Sequence, residues 1–258
     1  MRSSFASIIF DINDVLVTVD NSAGFSRYLA KKAEDDRRID TQWSGDVKTV
    51  LFGLLTKYCP LCEFGQCTKF SMKEPGRHVT QALKEGTLTY EGCKVAMTYM
   101  MTHYVECSIG VRIVLDHAID YYSRPDMLMH TCAAIPEGMQ LFHYAVEKFG
   151  AHHVFILSNM PVELFSLFKK QFPDVVAAIP AQNIVLAGHG GVVKPERKVF
   201  ELMIQRVGGA AGSMVLIDDK ERNIVGARQC GMHAVQFSRK PSAELAAFYK
   251  EIGFNLDR

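Results

Sequence analysis

The sequence predicts an α/β protein: a parallel sheet covered by helices on both faces, with an all-helical insertion after the first strand. Short apolar, β-branched runs stop on polar residues in "IIFDINDVLV", "HHVFILSN" and "SMVLIDD". Amphipathic stretches bounded by Pro and Gly follow the later runs, the alternation expected of crossover units that pair strands in parallel. The first run is then parted from its fellows by Asn21 to Tyr122, which carries helical patterns and no convincing apolar-to-acid strand.

In chain order, Ile8–Phe10 is a buried strand and His152–Leu157 a second. Pro161 opens a helix through Leu164, Phe165, Phe168 and Phe172, and "NIVLAG" is a short strand. In "KPERKVFELMIQRVGG", Pro195 marks a helix start, Val199, Phe200, Met203, Ile204 and Val207 form its apolar face, and Gly208-Gly209 stops it. "SMVLIDD" is a strand, Asn223 to Cys230 a helix and "HAVQF" a last strand. "SGDVKTVLFGLLTKY" and "YEGCKVAMTYMMTHYV" read as helices whose Met and aromatic residues belong to a core. The chain rejoins the α/β part near "IPEGMQLFHYAVEKFG". The organisation is therefore a core of residues 1–20 and 123–258 and a helical cap of residues 21–122.

Composition narrows the function. The apolar fraction of 48% and charged fraction of 22% are those of a globular protein. A net charge of +1 argues against a broad nucleic-acid-binding surface or steering to a membrane. Asp11 and Asp14 interrupt the first apolar run, so it neither spans a bilayer nor, after Met1-Arg2-Ser3-Ser4, makes a convincing signal peptide. Seven scattered cysteines, an odd number, favour reduced thiols and a cytoplasmic setting. "YCPLCEFGQC", with Cys59, Cys62 and Cys67, is half a zinc site that Cys93 or His78 would have to complete; free thiols are the favoured reading.

Ligands of open parallel sheets bind at the carboxyl ends of the strands. Asp11 ends the first strand there, Ser158 and Asn159 end the second, Lys194 stands at the mouth of a helix, and Asp218 and Asp219 end "MVLI". Each suits a task in phosphoryl transfer. A carboxylate attacks phosphorus and forms an acyl phosphate. Asp11 facing a phosphate needs a cation between them, and the oxygen ligands of Asp11, Asp218 and Asp219 suit Mg²⁺. The Ser158 hydroxyl and the Asn159 amide donate to phosphate oxygens, and Lys194 offers positive charge to the transition state.

These residues resemble the haloacid dehalogenase-like (HAD) hydrolase superfamily. The resemblance is to the branch with a helical cap after the first strand, which includes sugar-phosphate phosphatases and the phosphatase domain of soluble epoxide hydrolase. "IIFDINDVLV", "VFILSNM", "GGVVKPERKVFE" and "VLIDDKERNIVGARQCGM" match its four motifs; the cap matches in position and helical character alone. The resemblance implies a doubly wound, Rossmann-like core. It makes Asp11 nucleophile and Mg²⁺ ligand, Ser158 a phosphate contact and Lys194 a stabilising cation. Asp219, with or without Asp218, completes the metal site. The expected activity is Mg²⁺-dependent hydrolysis of a small phosphorylated metabolite through an aspartyl phosphate.

One position departs from the pattern. Most phosphatases of the superfamily carry a second Asp two residues after the nucleophile as general acid and base; here it is Asn13. An amide neither gives a proton to a leaving alkoxide nor takes one from water. The family ligates metal through the main-chain carbonyl here, so Asn13 stays in the metal set. Asp14 is a substitute acid only if a loop overrides strand alternation. Two alternatives follow: a metal-independent hydrolase of carbon–halogen bonds, and a catalytically weak binding protein.

Overall fold

The computed structural model describes residues 5–39, 79–86, 88–104, 109–188 and 192–256. Two compact units divide the chain, one of Met1–Val19 with Cys132–Arg258 and the other of Asp20–Thr131.

The first unit is the α/β core. Its strands are β1 (Ser7–Phe10), β2 (Val17–Val19), β3 (Cys132–Ala134), β4 (Val154–Ser158), β5 (Ile184–Leu186), β6 (Met214–Asp218) and β7 (His233–Gln236). Five form one parallel sheet in the order β5-β4-β1-β6-β7. From β1 the chain winds outward through β4 and β5, then crosses back to place β6 and β7 on the far side of β1. This is the doubly wound topology read from the sequence. Its switch point falls between β1 and β6, where such sheets open a crevice at their carboxyl ends. Because β1 has neighbours on both edges and helices on both faces, all four of its residues are buried.

Side-chain alternation sorts the two faces. Ile9, Phe155, Leu157 and Leu216 pack with Val199, Phe200 and Met203 of the helix Arg197–Val207 and with Ile224 and Ala227 of the helix Glu221–Gln229. On the other face Phe10 meets Phe142 of the helix Pro136–Phe149 edge-on, with ring centroids 5.4 Å apart. That helix comes close because residue 138 is glycine: a Cβ there would lie 1.7 Å from the Val15 carbonyl oxygen.

Several element edges differ from the sequence reading; the helix expected over Asn223 to Cys230, for one, spans Glu221–Gln229. His152 and His153 are exposed and belong to a 3-10 turn, so β4 begins at Val154. The buried Asn183 amide holds that turn, donating to the carbonyls of Ala151, His152 and Val154. The helix expected from Pro195 begins at Arg197, with Glu196 as N-cap. Lys194 is withheld from it because both its backbone N–H and C=O are bonded to the Asn159 side chain. The antiparallel pair β2–β3 was not anticipated.

The second unit is helical throughout its described residues, with helices Asn21–Asp35, Val79–Lys84, Tyr90–Tyr104, Ile109–Tyr122 and Pro125–Met129. Asp20 caps the first by accepting from the Ala23 N–H. Tyr90, Met97 and Met101 of "YEGCKVAMTYMMTHYV" are buried and belong to the core as expected, whereas Tyr99 is half-buried; Phe25, Leu29, Val114 and Leu115 are buried as well. Phe25 packs against Tyr28, Tyr121 and Tyr122. The predicted helix "SGDVKTVLFGLLTKY", the cysteines Cys59, Cys62 and Cys67, and His78 lie outside the described residues. Among those described, no helix is long and apolar enough to cross a membrane.

Candidate active site

The strand register assembles the site. Phe10 pairs with Ile156 of β4 and with Ile217 of β6, so the next residue, Asp11, emerges beside Leu157 and Asp218. The Asp11 N–H donates to the Ile217 carbonyl at 2.9 Å, extending the ladder. Alternation puts Asp11 and Asp218 on the face covered by the helices Arg197–Val207 and Glu221–Gln229. Lys194 precedes the first of these helices and Asn223 lies on the second.

Lys194 is buried to 2% exposure and its ammonium meets three acceptors. These are the Leu157 carbonyl at 2.7 Å, Asp218 Oδ2 at 2.6 Å and Asp11 Oδ1 at 3.1 Å. An ammonium has three donors, so Nζ is fully used by groups from the ends of three adjacent strands. The sequence reading had this cation facing phosphate; in the structure it faces two carboxylates and a carbonyl. Asn159 is likewise committed, its side chain donating to the Lys194 carbonyl at 2.8 Å and accepting from the Lys194 N–H at 2.9 Å. Gly226 brings the second helix against this segment, since a Cβ there would lie 2.9 Å from the Pro195 carbonyl and 2.8 Å from Phe200.

Asp218 is fully buried and saturated. Its Oδ1 accepts from the Lys220 N–H at 2.9 Å and from Asn223 Nδ2 at 2.8 Å, while Lys194 takes Oδ2. Asp219 is half-buried and pairs with Lys220 Nζ at 3.1 Å. One carboxylate oxygen each from Asp11, Asp218 and Asp219 lie within 4.8 Å of one another, a grouping able to hold a metal ion. Their proton affinities divide. Burial raises the Asp11 carboxyl above the ordinary range, against the pull of Lys194. Burial opposes charge on Asp218 too, but Lys194 and the donors around it carry it below that range. Burial also raises Asp219, against Lys220. On Lys194 the same burial is outweighed by Asp11 and Asp218, and the ammonium is held above its usual value.

Ser158 is fully buried, with Oγ accepting from the Met160 N–H at 3.3 Å. Asn13 forms an isolated bridge with Val17, and its Oδ1 is buried without a hydrogen-bond partner among the described residues. Asp14 is exposed in the left-handed region, φ 58°, and its carboxylate accepts from Thr18 Oγ1 at 3.0 Å. Sequence reasoning missed two parts of the site, the Leu157 carbonyl and the orienting role of Asn223. The first has no signature. The second had one: a polar residue on the apolar face of a helix, close behind an acid pair.

No family model matches the chain. In fold it is similar to an HAD family enzyme from Bacteroides thetaiotaomicron in complex with magnesium and inorganic phosphate, at 14% identity and TM-score 0.55, covering 93% of this chain and 97% of that one. It is similar to YfnB of Bacillus subtilis, described as an HAD-hydrolase bound to magnesium, at 16% identity and TM-score 0.57, covering 97% and 99%. A dehalogenase with an intermediate complex is similar at 12% identity and TM-score 0.58, covering 99% and 100%. The chain thus has the HAD-like fold, a Rossmann-type α/β core with an inserted helical unit. The neighbours sharing it include magnesium-bound HAD enzymes and a dehalogenase.

Proposed function

We propose that the protein is an HAD-like hydrolase that cleaves a phosphomonoester through an aspartyl phosphate on Asp11 and requires Mg²⁺. The observation that carries this reading is the carboxylate cluster of Asp11, Asp218 and Asp219 at the switch point of the sheet. Clustered acids at a crevice accommodate a phosphate dianion only with a cation. Asp11, Asp219 and the main-chain carbonyl of Asn13 would hold Mg²⁺, with Asp218 as the neighbouring acid. Bound there, the ion supplies the charge neutralisation that lets a carboxylate approach phosphate. The similar enzyme bound to magnesium and phosphate supports the assignment.

The chain's own residues divide the remaining work. Asp11 engages Lys194 through Oδ1, which orients the carboxylate and leaves Oδ2 to attack phosphorus. The Ser158 hydroxyl, whose hydrogen is not used by the Met160 contact, donates to phosphate. Asn159 contributes its main-chain N–H, because its side chain holds Lys194. The substrate is a small phosphorylated metabolite, and the cap expected over residues 21–122, which lies within the helical unit Asp20–Thr131, selects among such metabolites. The odd set of scattered cysteines suits a reducing, cytoplasmic setting.

The test is hydrolysis of p-nitrophenyl phosphate with Mg²⁺ and again after EDTA. Turnover should vanish with EDTA and return with added Mg²⁺; undiminished turnover in EDTA contradicts the proposal. One observation favours a second reading, hydrolysis of a carbon–halogen bond. Asn13 offers no proton, and halide leaves without one. Release of halide from a 2-haloacid in EDTA would establish that reading instead.

A further inference from the structure

Phosphate-ester cleavage moves two protons, and no described side chain of the core site is free to move them. The first goes to the leaving oxygen as the phosphoenzyme forms, and the second comes from the water that later hydrolyses it. By the resemblance Asn13, two residues after Asp11, holds the position whose acid would serve both steps, and its Oδ1 is buried with no partner among the described residues. Its amide can donate a hydrogen bond to a developing oxyanion, but it cannot transfer the proton. Asp14, the other candidate in the same loop, is exposed and turned onto Thr18. The remaining charged groups of the site are committed: Lys194 to three acceptors, Asp218 to three donors and Asp219 to Lys220.

We infer that Asn13 restricts the site to phosphates whose leaving group departs as a stable anion, namely acyl and aryl phosphates, and makes the phosphoenzyme long-lived. The inference rests on the phosphatase reading and names its substrate class. In the first step an Asp11 oxygen forms a bond to phosphorus and the bond from phosphorus to the leaving oxygen breaks. That electron pair leaves as a carboxylate, which needs no proton, or as an aryloxide, which takes its proton later from solvent. In the second step water attacks the same phosphorus and the Asp11 carboxylate departs with its electrons. The proton of the attacking water passes to a phosphate oxygen and then to solvent. Sugar and alkyl phosphates stall at the first step because an alkoxide is a poor leaving group. Acyl and aryl phosphates wait at the second step, because no described side chain of the core site is free to deprotonate the water.

The experiment compares, in saturating Mg²⁺, a series of substituted phenyl phosphates with glycerol phosphate, using steady-state and stopped-flow rates on the wild-type chain. Among the phenyl phosphates kcat/KM should fall as the phenol becomes more basic, while kcat stays level. A burst of phenol of about one equivalent per protein should precede the steady state. Glycerol phosphate should be slower by about a hundred- to ten-thousandfold, the usual worth of general acid–base help. Asn13→Asp should raise glycerol phosphate turnover by a comparable factor and remove the burst. Glycerol phosphate cleaved as fast as phenyl phosphates, with no burst and with Mg²⁺ dependence intact, overturns this inference and leaves the phosphatase reading standing. No Mg²⁺-dependent turnover of any ester overturns both. Should Asn13→Asp not fold, the wild-type series and the burst decide alone.

Discussion

The two units differ in how they bury polar groups: one gathers them and the other does not. In the core, Asp11, Ser158, Lys194, Asp218 and Asn223 are at most 4% exposed, and they gather at one end of one sheet. In the helical unit the pair of Lys94 and Asp120, at 3.0 Å, lies near the surface, with side-chain exposures of 42% and 35%. Its interior is mostly aromatic and aliphatic, with Phe25 among three tyrosines. A buried ion cluster costs desolvation that an ordinary core avoids, so its presence at the carboxyl end of a sheet marks chemistry rather than stability. Among its described residues the helical unit gathers no such cluster: its buried polar groups, Glu85 at 3% and Ser123 at 6% exposure, are scattered through a packing module.

That contrast can be broken most forcefully at Lys194. Lys194→Met removes the cation shared by Asp11 and Asp218 and leaves two carboxylates in a dry pocket. Breaking a buried ion pair from one side costs about 3–5 kcal/mol, which urea denaturation in metal-free buffer would read as a lower midpoint. Turnover should fall with it, even at temperatures where the variant remains folded. The corresponding change in the helical unit, Lys94→Ala, should cost about 1 kcal/mol or less, since its pair with Asp120 is partly solvated. Equal losses from the two variants would erase the distinction between the units.

Glycine substitutions give a middle-sized effect. The Cβ of Gly138→Ala meets the Val15 carbonyl, which is backbone next to the Asn13 loop, whereas the Cβ of Gly24→Ala meets the Tyr121 hydroxyl, a side-chain end. Forced overpacking costs about 1–3 kcal/mol, and Gly138→Ala should sit at or above the top of that range while Gly24→Ala falls lower. Thermal unfolding of both variants checks the order. The smallest effect is spectroscopic. Burial, reinforced by its hydrogen bond to Asp120, pushes the Tyr28 phenol up from 10.0 to about 12. A raised phenol means its neutral form is favoured by the fold, so this stabilisation holds below pH 10 and is lost as pH climbs through about 12. Tyrosinate absorbance should show that late ionisation, and Tyr28→Phe should remove one late-titrating phenol.

Much of the core was legible because parallel strands buried on both faces read as unbroken apolar runs, and each run ends where the crevice begins. Asp11, Asp218 and Asp219 could therefore be placed at one sheet edge before any coordinates. What Lys194 and Asn159 do there could not be read. Both stand at the expected edge, but their partners come from strands distant in sequence, so a cation expected to face phosphate proves to join Asp11 to Asp218. The strands β2 and β3 escaped notice because each has three residues, too few to show alternation. Strand alternation turned Asp14 away on paper; in the structure a left-handed backbone at that residue turns it onto Thr18.

The nucleophile is the claim on which the functional reading stands, and it can be seen directly. The protein would be mixed with p-nitrophenyl phosphate and Mg²⁺, quenched within the burst, treated with borohydride and digested for mass spectrometry. Borohydride reduces an aspartyl phosphate to homoserine. Homoserine at position 11, absent when Mg²⁺ is withheld and absent from Asp11→Asn, is the predicted result. An unmodified Asp11 in protein that is releasing nitrophenol, or homoserine at another aspartate, would contradict it.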